Sequence, residues 1–285
     1  MKFGMNLFLW TDTPTDVAHL PLYERLAAMG FDGLELPIMG EVDPAAYRAT
    51  GERLADLGLE RTCVTVCPSH ANPISPDGSV RKAAVAHLCR AVDACAAAGS
   101  RILAGPLYAA IGEFSGSGPS DDEWKRSVGV LQEVASHAAA REVTLVFEFL
   151  NRFEIYLLNC AADTHRYVRD VGAANVGVHY DTFHAHIEEK SVREAIRSAG
   201  TAIRHVHVSE NDRGTPGAGQ VAWQETFDAL AAIGYDGWLT IEAFGSLLPS
   251  LAAATKIWRP MFESEDRLAR DGLAFMKAAW AGRAE

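Results

Sequence analysis

One unit recurs along this chain: a helical stretch closes on a small-residue turn, often with glycine, and an apolar strand begins within a few residues. It reads L-A-A-M-G-F-D-G-L-E-L, L-A-D-L-G-L-E-R-T-C-V-T-V, C-A-A-A-G-S-R-I-L-A-G-P-L, A-A-A-R-E-V-T-L-V-F-E-F, S-A-G-T-A-I-R-H-V-H-V and A-A-I-G-Y-D-G-W-L-T-I-E. Glycine just past a helix end takes the left-handed cap at little steric cost, and a short link to the next strand is typical of such units. Repeated strand-helix units imply a parallel sheet. Strands are predicted at residues 3–10, 33–37, 61–66, 101–107, 143–150, 175–181, 203–209 and 238–244. Helices are predicted at 15–29, 44–57, 79–98, 120–139, 162–171, 191–198, 223–233 and 264–279. Openings such as Ser120-Asp121-Asp122-Glu123 look like an N-cap followed by first-turn acids. Eight strands alternating with helices over 285 residues give an α/β chain, a (β/α)₈ TIM barrel with one domain spanning 1–285.

The chemistry gathers on the last four strands. In V-F-E-F-L-N-R-F-E, Glu148 shares a strand face with Val146 while Phe147 and Phe149 take the other. A carboxylate turned inward is costly unless a cation or strong donors compensate it. Asp181 stands in step with His179, His207 with His205, and Glu242 with Thr240, and the alternate positions on each strand are apolar. Four strands thus each aim one chelating side chain into a common interior. Glu148, Asp181, His207 and Glu242 form an oxygen-rich set with a single nitrogen, suited to Mn²⁺, Mg²⁺ or Co²⁺ rather than to a thiolate-preferring metal. All four lie near the carboxyl ends of strands five to eight, the face on which barrel enzymes carry their chemistry.

Composition narrows the ligand. With 26 Lys and Arg against 37 Asp and Glu, the net charge of -11 argues against a nucleic-acid partner, which needs a basic surface. A small-molecule ligand is expected. Five cysteines without C-x-x-C spacing indicate neither a disulfide framework nor a zinc knuckle, and read as free thiols in a reducing compartment. Residues 1–10 lack a small-residue cleavage site and read as a first strand. No apolar run is long enough to span a bilayer, so the expected location is cytoplasmic.

Each candidate has a plainer reading beside it. Alone, Glu148 would be a carboxylate paired with Arg or Lys inside the barrel; four chelators in register favour a metal. His205 points inward one layer deeper than His207 and reads as a hydrogen-bonded interior histidine. Glu35, at the end of strand two, is a candidate member of a polar network. Glu154, His184 and Arg213 lie a few residues past strand ends, where solvated loop residues are common, yet together they offer an acceptor, a switchable donor and a fixed cation over one mouth. Trp10, Tyr108, Phe244 and Trp258 are candidate apolar walls, while His70, His87 and His137 have no constellation around them. Motifs for dinucleotides, nucleoside triphosphates and serine hydrolysis are absent.

E-F-L-N-R-F-E, D-T-F-H-A-H-I-E-E, H-V-S-E-N-D-R-G-T-P-G-A-G, I-E-A-F and K-I-W-R-P together resemble the ketose 3-epimerases, which include the D-tagatose, D-allulose (D-psicose) and L-ribulose 3-epimerases among the xylose isomerase-like barrels. The resemblance is sharpest from Glu148 to Arg259. It implies one divalent ion, usually Mn²⁺ or Co²⁺, on Glu148, Asp181, His207 and Glu242, with Glu148 and Glu242 also the two acid/base groups. It implies that Glu154, His184 and Arg213 hold the O1 to O3 end of a ketose, and that the chain forms a homodimer or homotetramer. The expected reaction inverts C3 of a free ketohexose or ketopentose through a cis-enediolate. The chain departs from the family at Ala185-His186, where Met-Asn is frequent, at Ser209, often Gly, and at Asp212, commonly Asn. The segments L-F-L-W and G-P-L-Y-A-A-I-G-E-F also differ among relatives and are expected at the distal end of the sugar. The rival expectation is an aldose-ketose isomerase of the hydroxypyruvate isomerase kind on the same barrel. An abasic-site endonuclease would need more strand-end histidines and a basic groove.

Overall fold

Parallel strands pair in chain order and the eighth closes on the first, giving a closed barrel. The computed structural model describes residues 1–283, so the last two positions of the expected domain, 284 and 285, lie outside the described residues. The strands are β1 (Lys2–Asn6), β2 (Gly33–Pro37), β3 (Glu60–Val64), β4 (Ile102–Gly105), β5 (Thr144–Glu148), β6 (Val176–Asp181), β7 (Ile203–Val208) and β8 (Trp238–Ile241). Around them run α1 (Leu20–Met29), α2 (Pro44–Asp56), α3 (Gly78–Ala97), α4 (Asp121–Ala139), α5 (Ala161–Val171), α6 (Thr182–Glu188), α7 (Val192–Ala199), α8 (Trp223–Ala232), α9 (Pro249–Thr255) and α10 (Glu265–Trp280). This is the expected single-domain (β/α)₈ architecture.

Three local differences have physical causes. The first strand, expected over 3–10, stops at Asn6, whose side chain caps a 3₁₀ turn over Leu7–Leu9 by accepting from Phe8 N–H at 2.8 Å. Helix α6 lies outside the expected set because its N-cap is Asp181, a residue read as a chelator, and it is only seven residues long. Helix α9 was hidden by its length too, and opens with Pro249 in its first turn.

Strand alternation sorts the layers. Phe147 meets Tyr167 of α5 edge-on at 5.3 Å, and Phe149 meets Tyr180 at 5.7 Å, so the phenylalanines pack away from the barrel axis. Glu148 therefore faces the interior. Barrel interiors are ordinarily filled by branched apolar residues, yet Asn6, Glu35, Thr62, His179, His205, His207 and Thr240 are all buried here. The interior near the carboxyl ends is polar, which requires an internal network of partners.

Gly105 ends β4 with φ +125°, where an added Cβ would stand 2.1 Å from the Thr65 carbonyl oxygen. Both the conformation and the close approach demand glycine. Gly112, also at positive φ (+79°), has nothing within 4 Å of its Cβ position. Gly105→Ala is expected to cost about 2–4 kcal/mol and Gly112→Ala about 1 kcal/mol, measured by chemical unfolding of each variant.

Candidate active site

The structure brings Glu148, Asp181, His207 and Glu242 together, with one ligand atom from each within 4.8 Å of the others. Glu148 and Asp181 are the last residues of β5 and β6, His207 sits one from the end of β7, and Glu242 follows β8 directly. Register does the alignment: Asp181 pairs with His207, and His207 with Thr240, two positions before Glu242. His207 Nδ1 lies 3.3 Å from Glu242 Oε1, 3.7 Å from Asp181 Oδ2 and 3.9 Å from Glu148 Oε1.

The partner on the far side of the imidazole fixes what Nδ1 can do. His207 Nε2 lies 2.6 Å from Glu35 Oε2, and Glu35 is wholly buried. The same carboxylate accepts from Asn6 Nδ2 at 2.8 Å, Thr62 Oγ1 at 3.0 Å and His205 Nε2 at 2.8 Å. Burial pushes its pKa up, but His207 and His205 outweigh that and hold it well below the usual carboxylate range. With Nε2 donating to Glu35, Nδ1 is the nitrogen left facing the carboxylates, and it has no hydrogen-bond partner among the described residues. Three carboxylates surround that nitrogen, a set of donors that could hold a cation. The three negative charges and the neighbouring Arg213 leave a formal deficit of two, matching a divalent ion. In the metal-free ring burial opposes a charge on His207, but Glu35 and Glu242 outweigh it and hold the imidazole well above its ordinary pKa.

The carboxylates are not equivalent. Burial and the facing Glu242 push Glu148 well above the usual range, and it has no short hydrogen bond, its nearest ring nitrogens being His184 Nε2 at 3.7 Å and His179 Nδ1 at 3.8 Å, on rings that burial keeps neutral. Burial raises Glu242 as well, but His207 and Arg213 more than offset it and hold it below. Asp181 is raised by burial to about 6 despite Arg213. Its two oxygens work separately: Oδ1 accepts from His184 N–H at 2.9 Å and starts α6, while Oδ2 faces the ring.

Arg213 and His184, expected on loops, are both buried. Arg213 Nη1 donates to Glu242 Oε2 at 2.7 Å and to Ser209 Oγ at 2.8 Å, and its guanidinium lies 3.8 Å over the Phe183 ring. Ser209, a departure from the family pattern, thus supplies a support that glycine lacks. His184 rides on α6, where Nδ1 accepts from the Asn151 backbone N–H at 3.0 Å. Burial first, and Arg213 next, hold its pKa well below the ordinary value, so the ring is neutral and its one N–H belongs on Nε2. Nε2 lies 2.9 Å from Arg213 Nη2, which is also a donor. Asn151 Nδ2 also donates to Glu154 Oε1 at 2.7 Å, so one asparagine orients two of the three expected substrate residues.

These groups line a cavity of about 460 Å³. Its lining combines Glu148, Glu154, His184, Arg213 and Glu242 with apolar residues that include Phe8, Met39, Val64, Val66 and Pro106. Of the four proposed aromatic walls only Phe244 lines it: Tyr108 is buried with its hydroxyl on the Leu158 carbonyl at 3.2 Å, and Trp258 is 73% exposed on the surface. Trp10 is half-buried away from the cavity, His186 is exposed on α6, and Asp212 accepts from Gly214 N–H at 2.9 Å to shape its loop.

Comparison with known proteins bears on this arrangement. A family model of the xylose isomerase-like TIM barrel matches residues 23–279. The chain is 36% identical over 279 residues to an L-ribulose 3-epimerase of Mesorhizobium japonicum, covering 96% of this chain and 93% of that protein. It is 32% identical to a D-psicose 3-epimerase of Ruminiclostridium cellulolyticum, covering 93% and 92%. The chain belongs to the ketose 3-epimerases of the xylose isomerase-like barrels. A solved L-ribulose 3-epimerase superposes on it with a TM-score of 0.92 at 34% identity, covering 99% of this chain and 95% of that one. A D-psicose 3-epimerase solved in the presence of D-fructose superposes with a TM-score of 0.88 at 31% identity, covering 99% and 100%. As a member of this family the protein is an isomerase-class enzyme, a carbohydrate epimerase.

Two residues went unread in the sequence. Asn151 was visible only as part of N-R-F-E, and Glu210 as an ordinary loop acid. Glu210 is wholly buried and accepts from Asn211, Gly217 and Val221 N–H and from Trp223 Nε1, at 2.8 to 3.1 Å. It folds the loop that delivers Arg213.

The unequal carboxylates predict unequal variants of the metal-stripped epimerase. Glu148→Gln removes an uncompensated charge and is expected to stabilise the fold by about 1–3 kcal/mol at pH 8. Because the folded pKa of Glu148 is raised, the native state holds the extra proton as pH rises past the ordinary carboxylate range, so stability falls there and the advantage of Gln grows. Glu242→Gln removes the shorter of Arg213's two carboxylate partners, leaving Asp181 Oδ2 at 3.4 Å, and is expected to cost about 2–4 kcal/mol. Urea unfolding of both variants from pH 5 to 8 measures the two signs.

Proposed function

We propose that this chain is a divalent-metal-dependent ketose 3-epimerase acting on a free ketohexose or ketopentose. The observation that carries the reading is the pair Glu148 and Glu242, on β5 and just past β8, facing one cavity with environments that drive their proton affinities in opposite directions. Epimerisation needs two such groups, one to remove the C3 proton from one face and one to return a proton to the other. Glu148, Asp181, His207 and Glu242 would hold the ion, with Mn²⁺ or Co²⁺ favoured and Mg²⁺ compatible with the donor set. When bound, it supplies Lewis-acid polarisation that makes a proton beside the C2 carbonyl acidic.

The chain's own groups do the rest. Arg213 Nη2 and His184 Nε2 converge to hold a carbonyl or hydroxyl oxygen at the O1 to O3 end of the ketose, and Glu154 accepts from a hydroxyl there. One glutamate takes the C3 proton, the substrate becomes a cis-enediolate, and the other glutamate protonates C3 from the opposite side. The ring of buried groups limits the water around the enediolate, while between turnovers each glutamate re-equilibrates its proton with solvent, so C3 acquires a solvent-derived hydrogen. The names of the relatives, L-ribulose and D-psicose 3-epimerases, support the substrate class. A cytoplasmic homodimer or homotetramer belongs to the same reading; the five free cysteines suit a reducing compartment, and no helix among the described residues is long and apolar enough to cross a membrane.

Metal-stripped protein incubated with D-fructose, D-tagatose or L-ribulose in D₂O is expected to be inert until Mn²⁺ or Co²⁺ is restored, then to place deuterium at C3 and yield the C3 epimer, read by NMR. Exchange at C1 with an aldose product would instead make it an aldose-ketose isomerase. Glu148→Gln and Glu242→Gln are each expected to lower C3 exchange by more than about a thousandfold, whereas His205→Gln, outside the cavity, is expected to retain activity. Full activity in either glutamate variant would sink the two-carboxylate mechanism. Glu35→Gln is expected to weaken Mn²⁺ binding by about 10–100-fold in calorimetry, because His207 loses the acceptor that fixes its tautomer.

A further inference from the structure

A second cleft of about 240 Å³ adjoins the cavity. Ser69, just beyond β3, lines both. Two loop strips run along both spaces. Ile111 and Glu154 face the first, while Glu113, Phe114 and Tyr156 face the second, and Gly112 N–H binds the strips together by donating to the Glu154 carbonyl oxygen at 2.8 Å.

The second cleft differs in chemistry from the apolar wall beside it. Phe114 and Tyr156 form a tilted aromatic pair with centroids 6.0 Å apart, and Phe114 is 50% exposed, leaving ring surface free. Beside them stand Glu113, held by Asn72 Nδ2 at 3.0 Å, and Glu123, which accepts from the Tyr156 hydroxyl at 2.6 Å. An aromatic surface flanked by carboxylates suits the C–H face and hydroxyls of a pyranose. Two acids exclude a phosphate or carboxylate ligand.

Barrel order supplies the direction. The proposed anchors for O1 to O3 lie beyond β5 to β8, and β3 and β4 stand across the barrel from β7 and β8. A ketose held at that end would send its terminal carbon toward the β3 and β4 side of the cavity, lined by Val64, Val66, Cys67 and Pro68, side chains with little to offer a terminal hydroxyl, and by Ser69. From these observations, and resting on the epimerase reading, we propose that the second cleft is a glycosyl subsite. The substrates it adds are ketoses carrying a hexosyl unit on the terminal hydroxyl. The reaction stays the C3 proton exchange already described, and the glycosidic bond is untouched.

The test compares 6-O-α-D-glucopyranosyl-D-fructose with D-fructose in D₂O, using Mn²⁺-restored protein and reading C3 deuterium and kcat/KM for each. The disaccharide is expected to exchange at C3 with kcat/KM at least equal to that of D-fructose. Phe114→Ala is expected to cut the disaccharide value by about tenfold while D-fructose stays within about twofold, and Phe114→Trp to restore it. If D-fructose exchanges and the disaccharide does not, or if Phe114→Ala lowers both alike, the glycosyl subsite is wrong and the epimerase reading stands. If neither sugar nor any free ketose exchanges, the epimerase reading fails and takes the subsite with it.

Discussion

Three carboxylates buried at one barrel mouth repel one another, and the structure is arranged around that repulsion. Arg213 answers part of it, with Nη1 2.7 Å from Glu242 and 3.4 Å from Asp181. Glu148 is left without an ion partner of that quality. A protein selected for stability alone would replace such a group with an apolar residue. A buried carboxylate left this poorly compensated costs folding energy, a pattern common at functional sites.

The second tier turns that charge into geometry. Glu35 crosses the interior from β2 to hold His205 and His207 on β7, and Asn6 of β1 reaches both Glu35, at 2.8 Å, and Glu242, at 3.5 Å. Strands distant in the chain thereby share one orientation. Arg213 has φ +62°, a left-handed backbone rare for a long side chain, and the Glu210 loop and Phe244 N–H hold it there, the latter donating to the Arg213 carbonyl oxygen at 3.1 Å. Local strain is fixed by surrounding hydrogen bonds, which lets the guanidinium reach inward.

Much of this was legible because strands have a period of two. Alternation on β5 to β8 separated Glu148, Asp181, His207 and Glu242 from their apolar neighbours, and the repeated turn-strand unit gave the barrel without reference to any site. What stayed hidden was set by contacts distant in sequence. Nothing near Glu35 announces that two histidines about 170 residues later will donate to it. Asp181 could be read as a ligand or as a helix cap, and reading the first concealed α6. Trp258 and Tyr108 carry the composition of a sugar wall, yet one faces outward and the other packs under the β5 loop. Aromatic identity carries no direction once the strand period has ended.

The placement of all four converging donors on consecutive strands divides the barrel into two inheritances. Strands β5 to β8 and their first loop residues carry the four clustered side chains and β2 reaches them through Glu35, whereas the ends of β3 and β4 contribute mainly apolar lining to the cavity. Insertions and exchanges after β3 and β4 can therefore accumulate without touching a reacting atom. A lineage built this way diversifies its diet from one half of the molecule while its chemistry stays fixed in the other.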